Sequence, residues 1–525
     1  MSVPKLVVLG LDAADLDVMR PLMDRGEMPN IARLMAEGSS GVLHSTVPPV
    51  SAPAWASFLT GRNPGKHGLY SFVVERGGGA MQLASAADIH GPKLWDVAAS
   101  QGAKPIVVNV PVTWPAPSFD GLMVTGMLTP ESQGVVFTHP ASLADDIAKH
   151  VPGYRIDIDR ALLDDRANAY AQMSEMEKRR KELFLHLLKS HATRLFVGIF
   201  TNTDRVQHSF WRSDRALVDM HFREVDAHVG EIVASLDLAT TAVMLLSDHG
   251  FQGSANKVYV NKLLEDAGLL ATQRTAKPDE QYGKRRPDSF EAFQGGRGEK
   301  SETPRAGLLG SLKSLVGLGG DVAMDWPKTR AFMWSVDSGG VAVNLKSRYP
   351  HGVVADADYE KVRDEVLRAL ASMKLPDGGR AFRAVRRREH VYAGPYTSTA
   401  PDVIAEPDDS VSMGIDLDAK EALRVHKRPE GHHSPRGFVS LTGAGFRRSV
   451  HVEANIVDCL PTILHALGLA VPEGCDGRVI DAAFTETRAV RTMPDPAESA
   501  AAAGKVLSPE EEADLRKSLE GLGYL

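Results

Sequence analysis

Runs of aliphatic and β-branched residues recur along the chain at positions 6–11, 105–110, 195–200, 242–246 and 438–441, and the stretches between them carry apolar residues at helical spacing. The runs are continuous rather than alternating, which predicts strands covered on both faces. Their alternation with helical patterns predicts an α/β fold, a mainly parallel sheet sandwiched by helices. A long, charge-rich amphipathic helix is expected over 167–190, its charges forming a solvated face. Another helix is expected from Ser51. In Ser51-Ala52-Pro53-Ala54-Trp55-Ala56-Ser57-Phe58-Leu59-Thr60-Gly61, Ser51 suits the cap, Pro53 the first turn, residues 54–59 a buried face and Gly61 the stop. A hydroxyl in that place lies beside unpaired amides and the positive end of the helix dipole, which favour a developing alkoxide or a bound phosphate. The same serine is equally what a plain helix cap requires, so alone it defines no chemistry.

The pattern breaks from Thr272 to about Ala306, where Gln, Lys, Arg, Asp, Gly and Pro dominate. This predicts a mobile insertion whose basic triplet Lys284-Arg285-Arg286 either attracts a substrate phosphate or is simply solvated. Order resumes near Asp325-Trp326-Pro327, and 330–425 reads as a smaller mixed region before the last core strand. Beyond Thr492, prolines and an alanine-rich linker lead to Ser508-Pro509-Glu510-Glu511-Glu512, a capped helix start with an acidic first turn, the helix running to near Gly521. The expected organisation is a core of residues 1–271 and 430–490, the insertion over 272–325, an inserted smaller α+β region over 326–429, and a linker with a C-terminal helix over 491–525 that docks on the core or on a partner.

A chain of 525 residues readily builds a large core. Its net charge of -7, from 60 Lys+Arg against 67 Asp+Glu, gives no overall attraction to nucleic acid polymers or anionic membranes, while small phosphate-bearing molecules stay open. Cys459 and Cys475 are the two cysteines and suggest neither a disulfide framework nor a thiolate zinc site, although a single link between them stays open. The opening apolar run is too short for a signal peptide and none approaches the roughly 20 residues that span a bilayer, so a cytoplasmic location is expected.

Four further groups fall where the predicted strands run out, the place where open α/β sheets bind ligands. They are Asp12 after the first strand, Asp204 with His208 after the third, Asp248-His249 after the fourth, and His433 just before the last. Singly, each has a plain reading: a turn residue, a helix cap, a half-buried surface histidine. Together they are three aspartates and three histidines on loops at one sheet edge, a set hard to explain by stability. Mixed carboxylate and imidazole ligands suit zinc or manganese rather than magnesium or calcium. Two such ions about 4 Å apart serve in-line displacement at phosphorus.

These residues resemble the alkaline phosphatase superfamily, most closely its branch of predicted phosphohydrolases and phosphomutases related to type I phosphodiesterases and nucleotide pyrophosphatases. The resemblance covers roughly residues 5 to 485. It rests on Gly10-Leu11-Asp12, on Ser51 with Thr60-Gly61-Arg62-Asn63-Pro64 and His67-Gly68, on Asp204-x-x-x-His208, on Ser247-Asp248-His249-Gly250, and on Gly431-His432-His433-Ser434-Pro435-Arg436-Gly437. It implies that one metal ion is held by Asp12, Asp248, His249 and the Ser51 oxygen, and the other by Asp204, His208 and His433. It also implies attack by Ser51 through a phosphoseryl or phosphodiester-seryl intermediate. His432 competes for the last ligand position, but His433 has the family's spacing to Gly437. His67 and Gly68 resemble supports of the nucleophile loop, and Asp458-Cys459-Leu460-Pro461-Thr462 and Asp476-Gly477-Arg478 resemble structural parts of the C-terminal core.

The chain departs from its relatives at two points. Sulfatases share the fold and carry an arginine where this chain has Trp55, which disfavours formylglycine and so sulfate chemistry. Nucleotide pyrophosphatases have an asparagine shortly after the His-Gly pair to hold a phosphoryl oxygen, whereas here Leu69-Tyr70-Ser71-Phe72 follows. Asn109 and Arg205 are the candidates to replace that donor, each with an equally good structural reading. The expected function is a two-metal phosphohydrolase, a phosphodiesterase acting on a small-molecule phosphate ester. A phosphomutase or phosphotransferase, and a catalytically silent metal-binding regulatory protein, are the alternatives.

Overall fold

A nine-stranded sheet carries the cluster of acidic and histidine side chains. In chain order its strands are β1 (Leu6–Leu11), β2 (Ser39–His44), β3 (Ile106–Val108), β4 (Leu122–Val124), β5 (Thr138–His139), β6 (Leu195–Phe200), β7 (Ala242–Leu246), β8 (Arg436–Gly443) and β9 (Val450–Asn455). Across the sheet they run β9-β2-β8-β7-β1-β6-β3-β4-β5. The structure is a computed structural model and describes residues 5–76, 81–132, 134–158, 166–274, 322–499 and 507–521.

The central strand β1 pairs in parallel with β6 and β7, β3 with β6 and β4, and β2 with β9, so the sheet is mainly parallel. Against that majority β8 runs antiparallel to both β2 and β7. Its direction follows from where the chain enters it. His433 stands at the edge where β1, β6 and β7 finish, so a strand starting three residues later at Arg436 can only run back.

Burial explains the continuous apolar runs. Along β1, Leu6 and Val8 enter one core with Trp55 and Phe58. Val7, Leu9 and Leu11 enter a second core with Phe184, Phe222 and Val225. The first core is covered by helix α1 (Ser51–Thr60), all of whose residues are buried. The second is covered by α2 (Leu143–His150), α3 (Arg166–Ser190), α4 (Asn202–Phe210) and α5 (Arg215–Ala234).

Residues between β7 and β8 build a separate, smaller core. Its antiparallel sheet of Ala331–Phe332, Gly340–Val343, Val403–Pro407 and Phe382–Arg387 packs with the helix Tyr359–Ser372. Val258, Val260 and Leu264 pack in this smaller core. The flanks of the predicted insertion, Thr272–Arg274 and Val322–Met324, pair antiparallel. Residues 275–321, including Lys284-Arg285-Arg286, lie outside the described residues. A long antiparallel pairing of Gly250–Tyr259 with Leu423–Ser434 brings the chain back to the main sheet.

At the C-terminus, helix α6 (Pro509–Gly521) starts with a reciprocal cap: Glu511 N donates to Ser508 Oγ, and Ser508 N to Glu511 Oε2. Arg516 of α6 donates to the Met81 carbonyl, and Leu519 is buried in the first core. Cys459 and Cys475 are both free thiols, so the link between them left open by the sequence does not form. No helix of the described residues is long and apolar enough to cross a membrane.

Candidate active site

Four elements converge at the carboxyl edge of the sheet. The end of β1 delivers Asp12, the turn after β7 delivers Asp248 and His249, and α4 delivers Asp204 and His208 one turn apart on one face. His433 comes from the strand Leu423–Ser434, where it pairs with Phe251. The expectation that all six lie on loops is therefore corrected. A helix turn and a ladder position hold three of them, which fixes the side-chain directions more firmly than loops would.

Ser51 also departs from expectation. The N-cap of α1 is Val50, with no side-chain cap, and Ser51 is the first helical residue. Its hydroxyl turns away from the helix amides and lies 3.2 Å from Asp12 Oδ1 and 3.0 Å from His249 Nε2. The amides of Ser51 and Ala52, at the start of α1, have no partners within the helix. Gly61 closes the helix with φ 64°, a conformation glycine adopts without strain.

The two histidines that meet different carboxylates have defined tautomers. His249 Nδ1 lies 3.1 Å from the Gly250 carbonyl, and His433 Nδ1 lies 2.9 Å from that of Pro49. A carbonyl only accepts, so both Nδ1 atoms carry hydrogen and the Nε2 atoms face the cluster. His249 Nε2 stands 3.6 Å from Asp12 Oδ1 and 3.3 Å from Asp248 Oδ2. His433 Nε2 stands 2.9 Å from His208 Nε2 and 3.3 Å from Asp204 Oδ1.

Asp12, Asp204, Asp248 and His249 are wholly buried. Burial, reinforced by Asp248 and Asp204, pushes the Asp12 carboxyl well above the carboxylate range. Burial likewise pushes Asp248 up to about 8. For Asp204 burial is outweighed by His208 and His433, and its carboxyl is held low. Burial drives His249 well below the ordinary imidazole value, so that ring is neutral. Three buried carboxylates packed this closely need positive charge to ionise together.

The donor set fits divalent cations. Asp204, His208 and His433 each present a ligand atom within 4.8 Å of the others, and so do Asp12, Asp204 and His249. Asp204, assigned from the resemblance to one ion, is thus within reach of both sets. Asp248 Oδ2 is buried with no hydrogen-bond partner among the described residues, an arrangement that a cation would satisfy.

Several supporting contacts were not legible in the sequence. Trp55 Nε1 donates to Asp12 Oδ2 at 3.2 Å, leaving Oδ1 for Ser51. Gly10 permits this contact, since a Cβ there would lie 2.5 Å from the Trp55 ring. Thr203 Oγ1 donates to the Asp12 carbonyl and Gln207 Nε2 to that of Ala13, stapling α4 to the end of β1. Trp55→Phe keeps most of the packing and removes the donor. It is expected to lower kcat/KM of the metal-loaded enzyme roughly tenfold with the fold intact, as read by steady-state kinetics and circular dichroism. Unchanged kinetics would reduce Trp55 to packing.

The stretch that departs from the pyrophosphatase pattern is tied down by the smaller unit. Asp337 Oδ2 accepts from Ser71 Oγ at 2.6 Å and from Phe72 N at 3.0 Å, and burial pushes its carboxyl up to about 6. The two candidates for the missing phosphoryl donor are turned to the scaffold. Asn109, at the end of β3, donates through Nδ2 to the Ile199 carbonyl. The Arg205 guanidinium pairs with Asp157 at 2.7 Å and donates to Thr201 and Asn202. His67 Nε2 meets Ser57 Oγ at 2.9 Å, inside the same helix that begins with Ser51.

A mainly parallel α/β sheet with this aspartate and histidine cluster at its carboxyl edge defines the class: a metal-dependent phosphoester hydrolase of the alkaline phosphatase superfamily. Over residues 6–435 the chain matches the type I phosphodiesterase / nucleotide pyrophosphatase family, and it belongs to that family. Among solved structures it is similar to phosphonoacetate hydrolase from Sinorhizobium meliloti 1021 in complex with phosphonoformate. That match has 14% identity and a TM-score of 0.57, over 89% of this chain and 95% of the other. The same enzyme in complex with phosphonoacetate aligns with a TM-score of 0.55 at 14% identity and the same coverage. No curated protein matches the chain.

Proposed function

We propose that the chain is a phosphodiesterase that acts on small-molecule phosphate diesters with Ser51 as nucleophile. The observation that carries this reading is the Ser51 hydroxyl at the first residue of α1, set against Asp12 Oδ1 and His249 Nε2. Asp12, Asp248, His249 and the Ser51 oxygen would hold one divalent ion, and Asp204, His208 and His433 the other. Bound there, the two ions, zinc in preference to manganese for this mixed ligand set, would supply Lewis-acid stabilisation at phosphorus and a more acidic nucleophile.

The chain's own residues supply position. Ser51 Oγ attacks phosphorus in line with the departing alcohol, forming the seryl ester as the substrate's ester bond breaks; water then hydrolyses that ester and restores the hydroxyl. The first amides of α1 face the phosphoryl oxygens. The Gly250 and Pro49 carbonyls keep His249 and His433 in fixed orientation through both steps. The contacts of Arg516 and Leu519 support docking of α6 on the core rather than on a partner.

The reading is tested with bis(para-nitrophenyl) phosphate, para-nitrophenyl phosphate and phosphonoacetate, each with zinc or manganese. The diester is expected to turn over fastest, and Asp248→Ala to abolish that turnover. Faster turnover of the monoester or the phosphonate would reassign the substrate, and transfer to an added alcohol in preference to water would make the protein a phosphotransferase or mutase. No turnover by folded, metal-loaded protein would leave a silent regulatory protein.

A further inference from the structure

A second group of metal-ligating side chains stands on α2 and α3, apart from all the elements that build the catalytic cluster. Asp146 and His150 lie one turn apart on α2, so both point from one helix face. His186 reaches them from α3. Asp146 accepts through Oδ2 from His186 Nε2 at 2.7 Å, and His150 Nδ1 lies 3.0 Å from Asp146 Oδ1 and 3.0 Å from the Asp146 backbone carbonyl. The two imidazoles stack with centroids 4.4 Å apart and planes 19° from parallel. One ligand atom from each of the three residues lies within 4.8 Å of the other two.

We propose that Asp146, His150 and His186 form a further zinc-type site, distinct from the catalytic cluster, in which a divalent transition-metal ion clamps α2 to α3. Two imidazoles and a carboxylate with open positions suit such an ion, with water completing a tetrahedral shell. The side chains of Asp146, His150 and His186 are 33%, 40% and 18% exposed, so ion and water can enter from solvent. Ser190 Oγ lies 3.4 Å from His186 Nδ1, on the side of the ring away from Asp146. A ligating histidine is commonly steadied by such a partner. A ligand pair on one helix turn joined by a third ligand from a neighbouring helix is also what a cross-helix clamp requires, because binding then excludes separation of the two helices.

The test uses the full chain, stripped of metal and reloaded with excess zinc chloride, then freed of unbound ion by gel filtration. Elemental analysis is expected to find one zinc equivalent fewer in His150→Ala/His186→Ala than in the parent, while diesterase activity is unchanged. A second measurement needs no variant: carbethoxylation of the parent protein, mapped by mass spectrometry, is expected to be suppressed by zinc at His150 and His186. Equal zinc content in parent and variant, or modification of both histidines at the same rate with and without zinc, would overturn the proposal. If the variant fails to fold, the modification map alone decides.

Discussion

Ser51→Ala is expected to lower diester turnover by roughly three orders of magnitude or more, the usual scale for losing a covalent nucleophile. The substitution removes one oxygen from a buried position and leaves Asp12 and His249 in place. Its effect on stability is expected to be small. A capping serine changed to alanine costs about 1 kcal/mol, but α1 is capped at Val50 without a side-chain bond and the Ser51 hydroxyl does not serve the helix amides. Activity and stability therefore separate at this residue. Metal content and melting temperature are expected to stay near those of the parent while turnover collapses. Acid-quenched parent protein mixed with a diester is expected to carry the phosphoester on Ser51, detectable by peptide mass mapping. Retained turnover in Ser51→Ala would mean that water attacks phosphorus directly, with no seryl ester.

The strands that the sequence made legible are those covered on both faces. β1, β6 and β7 are buried at every position, so their runs stand out without any alternation. β2 reads Ser39-Ser40-Gly41-Val42-Leu43-His44 and alternates buried with half-buried positions, and β9, at the sheet edge, has buried positions only at Val452 and Ala454. Such strands carry too few apolar residues to be found from hydropathy. The two residues of β5 are shorter than any pattern.

The aspartates and histidines that the structure brings together were legible because each follows or precedes a readable strand, and the topology of parallel strands puts those ends at one edge. The residues that orient them were not. Trp55 read as a buried aromatic on a helix face, and only the folded chain places its N–H against Asp12. Asp337 lies 266 positions from Ser71, in a segment with no motif, and meets it because the smaller unit folds back on the main sheet. For Arg205 the sequence left a phosphate-donor and a structural reading open, and the fold pairs its guanidinium with Asp157.

Removing the metal ions is expected to destabilise the protein, by an amount that grows as pH rises from about 6.5 to about 8. In the metal-free fold, burial raises Asp248 from an ordinary value of 3.8 to about 8 and raises Asp12 as well. Folding then takes up protons, so these groups favour the fold below the ordinary carboxylate range, and that contribution is lost as pH climbs through their raised values. His433, also raised, acts in the same direction. Asp204 is lowered, so its contribution is present above about pH 4 and is lost only on acidification. His249 is lowered from 6.5 and opposes the trend, but only while the unfolded ring still takes a proton; above 6.5 its opposition fades. Over the remaining window each ionising carboxylate can cost on the order of 2 kcal/mol. Bound cations reverse the sign, because the ligands must be ionised to bind and affinity rises with pH. The gap in melting temperature between metal-loaded and chelator-treated protein is therefore expected to widen from pH 6.5 to 8. In Asp248→Asn the chelated protein is expected to lose part of its pH slope, since the amide cannot ionise. A gap that stays constant or narrows across this window would exclude the buried carboxylates as the seat of the cations.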